Sequence, residues 1–243
     1  MKTFGLIGYP LGHSFSSEWF TDKFRSEGIE NARYINLPLE NINMIRQLAN
    51  ENNLAGFNVT IPHKQSIIPF LDELSPEAAA IGAVNCVVNS GGRLKGYNTD
   101  WLGFSLSLEG FIGKENISAM VLGSGGSSNA VTYALGKSGI GCTIVSREKS
   151  KGITYEELDD VVISQNLLIV NTTPLGMYPD IDSKPGIPYG MLGPAHFLFD
   201  LVYNPPLTAF LSEGQKQGCH IKNGTEMLYL QAEFSWKIFR GHP

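Results

Sequence analysis

A lysine and an aspartate, Lys64 and Asp100, sit in two short polar segments, Asn58-Val59-Thr60-Ile61-Pro62-His63-Lys64 and Tyr97-Asn98-Thr99-Asp100. Such a pair can pass a proton to or from a reacting oxygen, with partial burial tuning the ammonium. Gly12-His13-Ser14-Phe15-Ser16 and Ala83-Val84-Asn85 are similarly polar. The hydroxyls of Ser14 and Ser16, two residues apart, can both donate to one carboxylate. Asn58, Thr60 and Asn85 offer donors and acceptors that suit a molecule with several hydroxyls. Each residue also has a plain structural alternative: helix caps for Ser14, Ser16 and Asp100, edge-strand positions for Asn58 and Thr60, a solvated face for Lys64.

A second chemistry is legible at Gly123-Ser124-Gly125-Gly126-Ser127-Ser128. This loop directly follows the apolar run Ala119-Met120-Val121-Leu122 and opens a helical stretch. Glycines there permit a tight turn, and the helix N-terminus favours a pyrophosphate. Ser128 stands where the dinucleotide fingerprint has its third glycine, so a glycine-rich turn without ligand is the alternative. The next apolar run ends Val145-Ser146-Arg147. A NAD site places an acid there for the ribose 2′-hydroxyl. A neutral Ser146 followed by Arg147 suits the 2′-phosphate of NADP, which a guanidinium binds bidentately. Glu148 opposes that reading, and a surface Arg147–Glu148 pair is its alternative.

Positioning these groups takes an α/β scaffold. Short apolar runs alternate with amphipathic stretches, which predicts strands at 4–7, 33–37, 55–60, 84–89 and 94–97. Further strands are predicted at 119–122, 142–145, 167–170 and 197–201. Helices are expected at 18–27, 42–50, from Pro62, from the glycine loop to Ser138, and over 225–239. Ser90-Gly91-Gly92 signals a hairpin, and Thr154-Tyr155-Glu156-Glu157 a capping box. The final helix is expected to bury Met227, Leu228, Ala232 and Phe234.

Composition narrows the class. The 243 residues carry a net charge of −5 with 17% charged residues, and no long basic run offers a nucleic-acid footprint. No apolar run approaches the ~18 residues that span a bilayer, and no signal peptide is evident at the start. Cys86, Cys142 and Cys219 are isolated, which points to buried thiols in a reducing, cytoplasmic setting. No grouping has metal-ligand spacing, and no GxSxG nucleophile elbow occurs. His13 and His63 read as hydrogen-bonded structural residues.

Taken together in order, these segments resemble the shikimate dehydrogenase family. The resemblance rests on Gly-His-Ser-x-Ser, Asn-Val-Thr-Ile-Pro-His-Lys, Gly-Ala-Val-Asn, Gly-Tyr-Asn-Thr-Asp and Gly-Ser-Gly-Gly. It continues through Asn171-Thr172-Thr173-Pro174-Leu175-Gly176-Met177, Asp200-Leu201-Val202-Tyr203-Asn204-Pro205, and Asn223-Gly224-Thr225-Glu226-Met227-Leu228 with Gln231-Ala232. It covers essentially the whole chain. It implies two α/β domains: an N-terminal, mostly parallel substrate domain over 1–103, rejoined by the last helix at about 225–243, and a shortened Rossmann-like NADP domain over 104–224.

By the same resemblance, Ser14 and Ser16 hold the carboxylate of shikimate. Asn58, Thr60, Asn85 and Gln231 bind ring hydroxyls with Tyr203 close by, and Lys64 and Asp100 form the catalytic pair. Gly123, Gly125, Gly126 and Ser127 line the pyrophosphate, Ser146 and Arg147 the 2′-phosphate. Thr172, Met177, Gly224 and Met227 surround the adenosine or nicotinamide ends. Serine at 16 resembles the shikimate version of the site, since quinate-preferring relatives tend to carry threonine.

The chain also departs from the pattern. Ser17 replaces a frequent proline, Ser146-Arg147-Glu148 stands for Asn-Arg-Thr, and the stretch from Arg147 to Asn171 is short enough to have lost a helix or strand. The implied activity is reversible, NADP-dependent reduction of 3-dehydroshikimate to shikimate, a step of aromatic amino acid biosynthesis, by a cytoplasmic monomer or homodimer. Metal, nucleic acid and membrane have no part in it. The rivals are a quinate/shikimate dehydrogenase using NAD and a non-catalytic metabolite or nucleotide sensor.

Overall fold

The protein, described by a computed structural model over residues 1–11, 15–113 and 117–242, divides into two compact units. One comprises 1–99 with 231–243, the other 100–230.

The first unit is built on a six-stranded sheet. Its elements are β1 (Lys2–Gly8), α1 (Phe15–Ser26), β2 (Ala32–Pro38), α2 (Ile45–Glu51), β3 (Leu54–Val59), β4 (Glu73–Leu74), α3 (Pro76–Ile81), β5 (Cys86–Ser90) and β6 (Arg93–Tyr97). Strand order is β2-β1-β3-β5-β6-β4. β1 runs parallel to β2 and β3, while β5 is antiparallel to both neighbours. The β5–β6 hairpin turns where predicted, with Gly91 and Gly92 both at positive φ (63° and 92°) and the Asn89 side chain accepting from Gly92 N. Two positive φ values in a two-residue loop match the right-handed strand twist. Helix α3 shows full local punctuation: Ser75 accepts from Ala78 N, Pro76 takes the first turn and Gly82 closes it in the left-handed region.

The helix expected from Pro62 does not form. Residues 61–67 are successive turns running into a short 3-10 stretch, Ile68–Phe70. Pro69 has no N–H for the carbonyl of Gln65, so bonding falls back to the three-residue spacing seen at Ile68 N to Gln65 O and Phe70 N to Ile67 O.

The second unit carries α4 (Asp100–Glu109), β7 (Ala119–Leu122), α5 (Gly126–Lys137), β8 (Cys142–Val145), α6 (Asp160–Gln165), β9 (Leu168–Asn171), β10 (Phe197–Asp200), α7 (Ala209–Lys216) and β11 (His220–Lys222). Its five strands are all parallel in the order β11-β10-β9-β7-β8. A doubly wound dinucleotide fold orders six strands 3-2-1-4-5-6. Among the described residues the third strand is missing beyond β8, and the shortened stretch leaves one isolated bridge, Val145 to Ile153. Ile153 N donates to Ile144 O, and Ser146 N donates to Ile153 O. Gly152 permits this contact, since a Cβ there would lie 2.2 Å from Ile144 O.

The last helix, α8 (Thr225–Phe239), begins in the second unit and contributes Gln231 onward to the first. Its phase differs from the prediction. Met227, Ala232, Ser235, Trp236 and Ile238 are buried, whereas Leu228 and Phe234 are only half-buried. Trp236 closes an aromatic cluster with Phe4, Phe20 and Phe24 and donates from Nε1 to Glu27 (2.9 Å). That anchor sets which face of the helix turns inward.

Candidate active site

In the first unit two of the predicted side chains, Asn58 and Asn85, belong to one buried hydrogen-bonded network. Asn58, at the end of β3, donates from Nδ2 to Asn85 O (3.2 Å) and to Ser235 Oγ (2.8 Å), and accepts at Oδ1 from Tyr34 Oη (2.9 Å). Asn85 donates from Nδ2 to Thr99 Oγ1 (2.9 Å) and accepts at Oδ1 from Thr99 N (2.7 Å). Thr99 and Ser235 hydroxyls are 3.1 Å apart, which closes the circuit. Every member is buried. Backbone bonds fix the frame: Val59 N donates to Asn85 O, Asn85 N to Tyr97 O, and Thr60 N to Ile7 O. Burial pushes the Tyr34 phenol well up and raises the neighbouring Cys86 thiol, so both stay neutral. Tyr34, Thr99 and Ser235 escaped sequence reading. Thr99 lies within a quoted motif, but nothing local marks the other two.

Ser16 lies half-buried in the first turn of α1. Ser14 and His13 lie outside the described residues. Thr60 is half-buried just beyond β3. Lys64 is half-buried in the turns that follow, and its carbonyl receives Val84 N (2.7 Å). His63 beside it is buried, with Nε2 on the Leu39 carbonyl, the structural part expected of it. Asp100 is the first residue of α4 and buried, with the preceding turn held by Asn98 Nδ2 on Ala83 O (3.0 Å). Gln231 is half-buried on α8, and Tyr203 is largely exposed after β10.

The second unit builds its loops differently. Between β7 and β9 the sequential order of the parallel strands reverses, the place where open α/β sheets bind ligands. Gly123 sits there at φ +110°, and a Cβ on it would lie 2.7 Å from Thr172 Oγ1. Thr172 in turn donates to Leu122 O (2.7 Å), and Ser128 Oγ donates to Gly123 O (2.7 Å). Helix α5 starts after Gly125 with no side-chain cap, and its first in-helix bond runs from Asn129 N to Gly125 O. Its opening N–H groups therefore face outward along the axis, and a side chain at Gly125 would meet nothing within 4 Å. The donors and the open space fit a dinucleotide pyrophosphate.

Beyond β8, Ser146 Oγ lies 3.1 Å from Ser124 Oγ and accepts from Glu148 N (3.1 Å), a tight turn that leaves Arg147 exposed. Glu148 pairs with Lys151 (2.9 Å), and among the described residues no carboxylate lies within 4 Å of the Arg147 guanidinium. The opposing charge noted in the sequence is thus engaged elsewhere. Gly224 is forced by packing, since a Cβ would lie 2.1 Å from Leu201 O. Met177 is exposed, whereas Met227 lies in the core with Val121 and Phe199.

One further group was not foreseen. The Asp200 carboxylate, fully buried at the end of β10, accepts from Asn171 Nδ2 (2.9 Å), Val202 N (3.0 Å) and Thr208 Oγ1 (2.6 Å). Asn171 Oδ1 accepts in turn from Thr173 N and Oγ1. Asp200 thus ties together the loops leaving β9 and β10. Burial lifts its pKa to about 6 against the opposing pull of those hydrogen bonds. Among the described residues no cluster has the makings of a metal site, and no helix is long and apolar enough to cross a membrane.

Comparison with known proteins supplies the relatives. Residues 6–87 match the family described as shikimate dehydrogenase substrate binding domain. The shikimate dehydrogenase (NADP(+)) of Methanococcus maripaludis is 40% identical over 261 residues, covering 99% of this chain and 92% of that protein. That of Desulforamulus reducens is 35% identical over 260 residues, covering 98% and 89%. Among solved structures, shikimate dehydrogenase 1 from Peptoclostridium difficile superposes with a TM-score of 0.89 at 35% identity, covering 100% of this chain and 93% of that one. The Thermus thermophilus enzyme in complex with NADP(H) and shikimate gives 0.87 at 29% identity, covering 99% and 94%. A quinate dehydrogenase from Corynebacterium glutamicum in complex with NAD also gives 0.87, at 27% identity, covering 99% and 94%.

Proposed function

The chain belongs to the shikimate dehydrogenase family, and we propose that it is an NADP-dependent oxidoreductase interconverting 3-dehydroshikimate and shikimate. The observation that carries this reading is the agreement along the whole chain with relatives of that activity, 40% identical over 99% of its length in one case. We assign the substrate to the first unit and the dinucleotide to the second.

When bound, NADPH would supply the hydride that the ketone carbon receives. As negative charge grows on the ketone oxygen, Lys64 stabilises it and gives up a proton from Nζ, with Asp100 assisting that transfer. In the oxidative direction Lys64 takes the proton back. Ser14 and Ser16 receive the carboxylate, while Asn58, Thr60, Asn85 and Gln231, with Tyr203, select the hydroxylated ring. Gly123, Gly125, Gly126 and Ser127 receive the pyrophosphate. Ser146 and Arg147 recognise the 2′-phosphate, and Thr172, Met177, Gly224 and Met227 border the rest of the dinucleotide. Three unpaired cysteines suit a cytoplasmic setting.

The test follows nicotinamide absorbance with shikimate or quinate, each with NADP and with NAD. Turnover with shikimate and NADP above the other three pairs is expected. Preference for quinate with NAD would favour the second reading, which the likeness to the NAD-bound quinate dehydrogenase keeps open. Silence with all four pairs would overturn both.

A further inference from the structure

The network around Asn58 fixes more than its position. Asn85 O is a backbone carbonyl and only accepts, so the Asn58 atom facing it at 3.2 Å is Nδ2. Its second proton goes to Ser235 Oγ at 2.8 Å. Both donors of the amide are therefore spent inside the protein. Its Oδ1 accepts one bond from Tyr34 Oη, which leaves a single lone pair for a ligand. That lone pair is complementary to a hydroxyl and repels a carbonyl or ether oxygen.

The same bookkeeping sets the direction of the phenol. Tyr34 has one proton and gives it to Asn58 Oδ1 at 2.9 Å. Tyr34 is buried on β2 and its ring stacks on Phe20 with centroids 4.3 Å apart and planes 4° from parallel. It cannot turn away.

We propose that Tyr34 is a positioning residue for the substrate, holding the Asn58 amide so that the remaining lone pair of its Oδ1 meets a substrate hydroxyl. The inference rests on the substrate assignment made above and extends it to two residues, Tyr34 and Ser235, that need not touch substrate.

Tyr34→Phe removes the hydroxyl and keeps the stack on Phe20. Steady-state kinetics are measured for wild type, Tyr34→Phe, Asn58→Ala and the double variant, varying shikimate and NADP in turn. KM for shikimate is expected to rise about tenfold in Tyr34→Phe, the scale of one lost hydrogen bond, with kcat within about threefold and KM for NADP unchanged. In the Asn58→Ala background the same substitution should cost about half as much or less, because the two act through one bond. An unchanged KM for shikimate, an equal rise in KM for NADP, or fully additive effects would overturn the proposal. If Tyr34→Phe shows no cooperative melting, Ser235→Ala replaces it; it strips the acceptor from Asn58 Nδ2 and must raise KM for shikimate alone, an unchanged value overturning the proposal. Wild type inactive on shikimate would overturn the functional reading itself, whereas active wild type with an indifferent Tyr34→Phe would overturn only this inference.

Discussion

The two units solve recognition with opposite materials. The first spends side chains: five buried polar residues from five separated stretches of chain hold one another by hydrogen bonds, and the substrate proposed for it meets what is left over. The second spends backbone: a glycine in the left-handed region, an uncapped helix start and a close pass of Gly224 against Leu201. A side-chain network can be retuned one atom at a time, with graded effects. A backbone cradle admits almost no change at its close approaches, because a Cβ at Gly123 or Gly224 must displace main chain or a neighbouring loop.

The largest expected effect tests the first unit. Lys64→Ala should lower kcat by about 10²–10⁴-fold while moving KM for shikimate little, since positioned proton transfer acts in the transition state. An unchanged kcat in a stopped-flow or steady-state assay would remove Lys64 from the chemistry. Next comes the exception in the second unit, the side chain proposed to read the 2′-phosphate. Arg147→Ala should raise KM for NADP by about 10–100-fold, the scale of a charge-assisted bond, and leave KM for NAD nearly untouched. Equal loss for both dinucleotides would assign Arg147 a merely structural part.

Gly123→Ala sharpens the contrast, because it adds one methyl and removes nothing. At φ +110° and 2.7 Å from Thr172 Oγ1, it should cost about 1–2 kcal/mol of stability and weaken NADP binding without changing the affinity for shikimate. A variant whose melting temperature and NADP affinity match wild type would break the claim that this loop tolerates no side chain.

The smallest effect concerns Asp200, where the second unit uses side-chain wiring after all. Its folded-state pKa of about 6 lies above the ordinary 3.8, so the native protein holds this proton where the unfolded chain has released it. Its contribution to stability is then fully present below about pH 4 and is lost as pH rises through about 6. Asp200→Asn can keep all three contacts, with Oδ1 towards Asn171 and Val202 and Nδ2 towards the Thr208 hydroxyl oxygen. Melting curves of the variant should therefore stand about 1 kcal/mol above wild type at pH 7 and converge with it near pH 4. A difference that does not narrow with falling pH would show that the carboxylate bears no desolvation penalty.

Sequence patterning reached the sheets, the hairpin and the glycine loop because their signals are local: alternation, paired glycines, a turn directly after an apolar run. It missed Tyr34 and Ser235 because their partners are distant along the chain; Ser235 is separated from Asn58 by 177 positions. Asp200 was visible as part of a motif, yet its work on Asn171 and Thr208 depends on two strands lying side by side. The helix expected at Pro62 failed for a reason that was present in the sequence, the second proline at 69. The phase of α8 failed for one that was not, since Trp236 is drawn inward by Phe4 and Glu27 from the other end of the chain.

That distant pairing gives the protein an order of assembly. Residues 100–230 form a contiguous stretch, whereas the first unit needs residues 231 onward to complete its core and the Ser235 corner of its network. On a ribosome adding roughly 5–20 residues per second, the interior half of the sequence can close while the opening half still waits for its last helix. On the substrate assignment proposed above, substrate recognition is then the last property the nascent chain acquires, and loss of residues 231 onward would spare the middle of the protein and disable its beginning.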